Sequence, residues 1–211
     1  MTVNRSKTRI IVFKNGGKLS KREKWVYKGE ALETTTVYKY LGVYFSNHLS
    51  WINHTKQASV QALKVLIRLI RNMRTLGDMS CKTFFKIFDV KISPILLYGS
   101  EIWGLNKYDS IEKVHLYACK KYLGVKYNTS NSMVYGECGR LPLYIYSTVK
   151  VIKYWLRLLT MPCHRFPKKC YNMMIVYDRN GKQNWVTNVR EFLFKTGYSY
   201  VRNDQTVQSE K

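Results

Sequence analysis

The stretch VYKYLGVYFS, Val37 to Ser46, governs the reading of the N-terminal part of the chain. Taken as one strand, it alternates. Val37, Leu41, Val43 and Phe45 fall on one side with Lys39 among them, and Tyr38, Tyr40 and Tyr44 fall on the other with Gly42 in their row. A glycine weakens a strand interior. One reason to keep it is the close approach of another backbone or a ligand, and a bulge is the bland alternative. The question is what comes close to the tyrosine row.

Working outward, KTRIIVFK (Lys7 to Lys14) reads as a strand ending in the turn chemistry of Asn15 to Gly17, and WVYKGEAL as a small hairpin turning at Gly29. The residues up to Ser46 therefore predict a small antiparallel sheet, too small to be stable alone. From Trp51 the period changes. Leu63, Leu66, Ile67 and Ile70 fall at helical spacing, with Ser50 as a cap and Gly77 as a stop. Lys64, Arg68 and Arg71 occupy another face, with Arg74 beyond them, and no acidic residue occurs between Glu33 and Asp78. A solvated helix face usually mixes signs, so a single-sign row favours a polyanion.

KTFFKIFDVKISPILLYGSEIWG predicts a buried apolar helix interrupted at Pro94. YDSIEKVHLYACKKYLG predicts another, with Asp109 and Glu112 spaced as a capping box and Gly124 as its stop. A polar link at Asn128 to Ser132 precedes a long helix from Leu143 to Leu159. MPCHRFPKK breaks that helix, NWVTNVREFLFK forms a last short one, and the tail after Val201 is expected to be disordered. The fold class is α+β: a small N-terminal antiparallel β-hairpin sheet followed by a mostly helical bundle. The expected parts are residues 1–50, 51–160 and 161–211.

Composition narrows the partners. The 211 residues carry a formal charge of +23, from 36 Lys and Arg against 13 Asp and Glu. Such a charge opposes compaction unless a polyanion shares it, which puts nucleic acid ahead of a merely solvated basic surface. A hydrophobic content of 45% with 14% aromatics excludes a disordered basic tail. No apolar run approaches the roughly 20 residues that span a bilayer, and neither end reads as a greasy basic helix, so no membrane partner is expected. The N-terminus lacks the pattern of a signal peptide. The cysteines at 81, 119, 138, 163 and 170 are odd in number and scattered, which suits free thiols and an intracellular location, nuclear or cytoplasmic. Cys163, His164 and Cys170 match no common zinc spacing. His48, His54 and His115 read as surface or partly buried, and Tyr144, Tyr146, Tyr154 and Trp155 as core.

Three stretches in this order, VNRSKTRIIVF, YKYLGVYFS, and ISPILLYGSEIWG with ACKKYLGV, resemble the C-terminal half of the reverse transcriptases of LINE-type (non-LTR) retrotransposons. The resemblance covers Val3 to Leu159. It implies that the first element is the edge of a polymerase palm, the second the primer-grip hairpin, and the following helices a thumb. It implies that Lys7, in the N-x-x-K-T element, lies near the phosphates of an incoming nucleotide. It further implies that Lys39, Tyr40 and Gly42 approach a primer strand, and that Lys64, Arg68, Arg71 and Arg74 hold RNA, DNA or an RNA–DNA hybrid through phosphates.

Nucleotide transfer needs two divalent ions held by clustered carboxylates, and the chain contains no adjacent Asp pair. In the family those aspartates lie upstream of the N-x-x-K-T element, so Met1 resembles an internal methionine of a longer frame. The expectation is a truncated, non-catalytic fragment with no cofactor of its own, Mg²⁺ entering only with an upstream palm. Two alternatives stay open: an inert or protein-binding remnant of a decayed element, and one subunit of a split enzyme partnered by an upstream polymerase fragment.

Overall fold

The computed structural model describes residues 8–14, 17, 24–77 and 79–200. Lys7, the tail after Val201 and the side chain of Arg74 lie outside the described residues. The chain divides into two units, Met1–Tyr98 with Lys120–Gly124, and Gly99–Cys119 with Val125–Lys211. The division does not fall at residues 50 and 160, because the hairpins share their unit with the helices that follow them. The class is α+β.

In the first unit, β1 (Val26–Tyr27) and β2 (Glu30–Ala31) form one hairpin, and β3 (Val37–Tyr40) and β4 (Val43–Ser46) form another. They are separate two-stranded ribbons and not one sheet. Residues 8–14 contribute a single parallel bridge from Ile10 to Thr34 in place of the expected strand. Ile10 N–H donates to Glu33 O at 3.0 Å, and Thr35 N–H to Ile10 O at 2.8 Å. Ribbons this small need a helix to pack on, and α1 (Ile52–Leu76) supplies it by lying against β4. Ser50 does not cap α1; Trp51 stands at the N-cap without a side-chain bond, and Gly77 ends the helix as expected.

The buried line of α1 runs through Ala58, Ala62, Leu66, Leu69 and Ile70. Ile67, expected in this line, is 37% exposed. Small residues at 58 and 62 let the helix come close to its neighbours. α2 (Cys81–Lys91) is capped by Ser80, whose Oγ accepts from Thr83 N–H at 3.2 Å. α3 (Ser93–Leu96) restarts with Pro94 in its first turn, where a missing N–H costs nothing. Phe84, Phe88, Ile92 and Leu96 are fully enclosed. Tyr122 stacks on Phe84 at 5.1 Å and donates its hydroxyl to Met79 O at 3.2 Å.

The second unit contains α4 (Ser100–Trp103), α5 (Asp109–Leu123) as far as Cys119, α6 (Asn131–Glu137), α7 (Leu143–Leu159), α8 (Phe166–Arg179) and α9 (Trp185–Lys195). α7 has the predicted limits. α6 replaces part of the expected polar link. The break after α7 is present at residues 160–165, and α8, a helix the sequence did not predict, begins at Phe166 with Pro167 in its first turn.

α4 lies against α7, and Gly104, the residue that ends α4, has no room for a side chain. A Cβ there would lie 2.5 Å from Ser100 O and 2.8 Å from both Cβ and O of Ser147. Val151, Trp155, Leu158, Tyr171, Val186, Val189 and Leu193 form the α7–α8–α9 core. Within it the Trp155 indole donates to Tyr171 Oη at 3.1 Å. Asn184 and Thr187 cap α9 reciprocally, and Asp178 accepts from Thr187 Oγ1 at 2.8 Å and pairs with Arg190 at 3.0 Å. No described helix is long and apolar enough to cross a membrane.

Candidate nucleic-acid interface

Val37–Ser46 is a hairpin, not the single strand its alternation suggested. Leu41 and Gly42 form the turn, with φ of 47° and 86°. Two successive positive φ values define the turn whose twist matches a right-handed ribbon. Its register pairs Val37 with Ser46, Tyr38 with Phe45, Lys39 with Tyr44 and Tyr40 with Val43. Cross-strand partners share a face, so the tyrosine row does not exist. Tyr38 and Tyr40 lie with Phe45 and Val43, while Tyr44 lies with Lys39, whose Nζ stands 5.4 Å from the centre of the Tyr44 ring. Lys39 is exposed, and Tyr40 is 59% exposed.

The group that comes close to Gly42 belongs to this same unit. A Cβ on residue 42 would lie 3.3 Å from Cε1 of Tyr98, and the Tyr98 hydroxyl donates to Leu41 O at 3.1 Å. His54, near the start of α1, holds the same pair of segments together. Its Nδ1 accepts from Tyr44 N–H at 3.5 Å, and its Nε2 faces Tyr98 O at 3.1 Å. These partners assign the neutral tautomer with the proton on Nε2. Burial lowers the pKa of His54, opposed by the bond to the Tyr98 carbonyl, which favours that neutral form. The hairpin tip is thus tied to the helices by Tyr98 and His54. Neither residue stands out in the sequence as a support for the turn; the only local signal for the turn was Gly42 itself, obscured by a leucine where asparagine or aspartate is usual.

α1 presents the charged surface. Lys56, Lys64, Arg68 and Arg71 are all exposed, opposite the buried line through Ala62 and Leu66. Among the described residues none of these cations has an ion-pair partner. Lys64 to Arg71 spans about 10 Å of helix axis, and α1 contains no acidic residue. Val60 and Ile67, 52% and 37% exposed, interleave with the cations. Like charges on successive turns repel one another, so this row lowers its energy when an anion lies along it.

The buried polar chemistry of the second unit is structural. Glu112 is not a capping residue; it is buried, and its Oε1 accepts from the Tyr135 hydroxyl and from Leu143 N–H at 3.1 Å. His115 Nδ1 lies 3.6 Å from the same oxygen, and Arg140 Nε–H donates to His115 Nε2 at 3.4 Å. Burial opposes ionisation of Glu112, but the adjacent His115 and hydrogen bonds from Tyr135 and Leu143 outweigh it and lower its pKa. Burial and Glu112 push the Tyr135 phenol up, so it remains a donor.

His115 is fully enclosed, against the expectation of a surface or partly buried ring, and so is nearly all of His54. Cys119 and Cys138 are buried free thiols, and Cys119 is driven further toward the thiol form by burial and by Cys138. Cys163 and Cys170 are exposed. No group of three or more His, Cys, Asp or Glu able to hold a metal occurs among the described residues. Trp155 is core as expected, whereas Tyr144 and Tyr146 are 40% and 39% exposed. Comparison with protein-family models, with curated proteins and with solved structures found no match.

Proposed function

We propose that the chain is a nucleic-acid-binding module of the reverse-transcriptase type, equivalent to the palm edge, primer-grip hairpin and thumb of a LINE-type polymerase, that holds RNA, DNA or a hybrid without performing nucleotide transfer itself. The observation that carries this reading is the exposed row Lys64, Arg68 and Arg71 on an acid-free helix, in a chain of charge +23. The exposed Lys39 and Tyr40 of the hairpin add a cation and an amphipathic ring of the kind that contacts sugar and phosphate. Phosphate contacts dominate such binding and make it independent of sequence. The chain contains no adjacent Asp pair, so the reading assigns no nucleotide transfer to these residues; co-expression with a fragment that carries such a pair tests whether a partner restores Mg²⁺-dependent extension.

The test is a salt titration. If the three α1 cations each neutralise one phosphate, replacing all of them with Gln reduces the slope of log K against log salt by about 2.7 on duplex and about 2.1 on a single strand. An unchanged slope removes α1 from the interface. A second reading, a protein-binding remnant with no nucleic-acid role, is favoured by the exposure of Tyr127 (87%), Phe166 (79%) and Leu41 (75%). A purified chain that binds no oligonucleotide and stays soluble only with a protein partner would select it.

A further inference from the structure

We propose that Tyr146 and the cations around it form a second, independent site for single-stranded nucleic acid, in which an unpaired base stacks on the tyrosine ring. The outward face of α7 carries Tyr146, Val149, Lys153, Leu156 and Arg157, at offsets of 3, 7, 10 and 11 residues from the first, opposite the buried Val151, Trp155 and Leu158. α7 contains no acidic residue. Lys150, on the flank of this face, lies 4.0 Å from Glu101 and is left out of the site.

What distinguishes this face from an ordinary solvated one is Arg140. Its Nε–H bond to the enclosed His115 fixes the guanidinium, which stands 6.0 Å from the centre of the Tyr146 ring. His115 in turn lies beside Glu112, so the arginine is held from the unit's interior. A tyrosine ring and a guanidinium plane are the two surfaces on which single-stranded bases stack. The half-exposed Val149 and Leu156 suit a base or sugar better than a phosphate, and Lys153 and Arg157 lie about two and three helical turns beyond the ring, placed to meet the backbone. A duplex keeps its bases stacked and cannot use the ring.

The site shares its ligand class with the function proposed above but none of its residues, so each can fail alone. The experiment is fluorescence anisotropy of the full chain with a labelled oligothymidylate and with a duplex of equal length, over a salt series. Tyr146→Leu should weaken single-strand binding about 5-fold or more without changing the salt slope, and Tyr146→Phe should bind as the parent does. Lys153→Gln with Arg157→Gln should reduce the single-strand slope by about 1.4. Circular dichroism melts matching the parent show that the exposed substitutions leave the fold intact. Unchanged binding by Tyr146→Leu, an equal loss in Tyr146→Phe, an equal loss on duplex, or an unchanged slope in the double variant would overturn the proposal. The α1 variant measured alongside reports on the first interface separately.

Discussion

The hydroxyl of Tyr98 donates to the carbonyl of Leu41 at 3.1 Å, while its ring lies 3.3 Å from where a side chain on residue 42 would begin. One tyrosine therefore both pins the hairpin tip and occupies the space that the glycine leaves.

That arrangement makes opposite predictions for the two turn residues. Leu41 holds a φ of 47°, a conformation that costs an ordinary residue about 1–2 kcal/mol and that asparagine tolerates. Leu41→Asn should stabilise the protein by about 0.5–1 kcal/mol, and Gly42→Ala should destabilise it by about 1–2 kcal/mol. Thermal melts of the two variants decide it; a less stable Leu41→Asn would show that the leucine side chain supports the tip.

His54 should make stability depend on pH. Its folded pKa is lowered by burial below the ordinary value of 6.5. The unfolded chain therefore takes up a proton first as pH falls, so the His54 contribution is complete above about pH 6.5 and is lost as pH drops through the folded pKa. The melting temperature of the parent should fall more between pH 7 and pH 5 than that of His54→Gln. Parallel curves for the two proteins would remove His54 as the cause.

Glu112 should behave as a buried carboxylate that is needed ionised. Its folded pKa lies below the unfolded one, so its contribution is present above about pH 4.3 and is lost as pH falls through the folded value. Glu112→Gln should cost about 1–3 kcal/mol at pH 7 in urea unfolding. Tyr135→Phe, which removes one of several donors, should cost about 1 kcal/mol. Parent-like stability of Glu112→Gln at pH 7 would show that the charge adds nothing there.

Gly104 should tolerate no side chain. The obstructing atoms, Ser100 O and the Cβ and O of Ser147, belong to or adjoin backbone and cannot swing aside. Gly104→Ala should destabilise the protein by about 1–3 kcal/mol. Ser147→Ala, losing the bond of its Oγ–H to Gly104 O at 2.8 Å, should cost about 1 kcal/mol. A Gly104→Ala protein melting with the parent would mean that α4 and α7 can separate freely.

Legibility followed the range of the forces. The limits of α7, the break at Pro94 and the stop of α1 at Gly77 were readable, because each depends on side chains or dihedrals within about one helical turn. The break after α7 was readable too, but α8 was not, since a proline such as Pro167 equally suits a link or the first turn of a new helix, and packing decides which. The tyrosine row failed for a different reason. A two-residue turn exchanges odd and even positions between faces, so one unrecognised turn reassigns every side chain after it. Glu112 fits both a capping box and a buried acceptor, and only the arrival of Tyr135 and Leu143 N–H from later in the chain selects the second.

By itself the sequence determined the α+β class, the acid-free cationic helix and the overall excess of positive charge, because composition and periodicity are properties of the chain before it folds. Only the tertiary structure decided that Tyr98, 57 positions from Leu41, would close over the hairpin turn, and that Arg140 would be held over Tyr146 by a histidine 25 positions away. Contacts of that separation become favourable once packing has met the entropy of closing the loops between them, and no local pattern records which ones form.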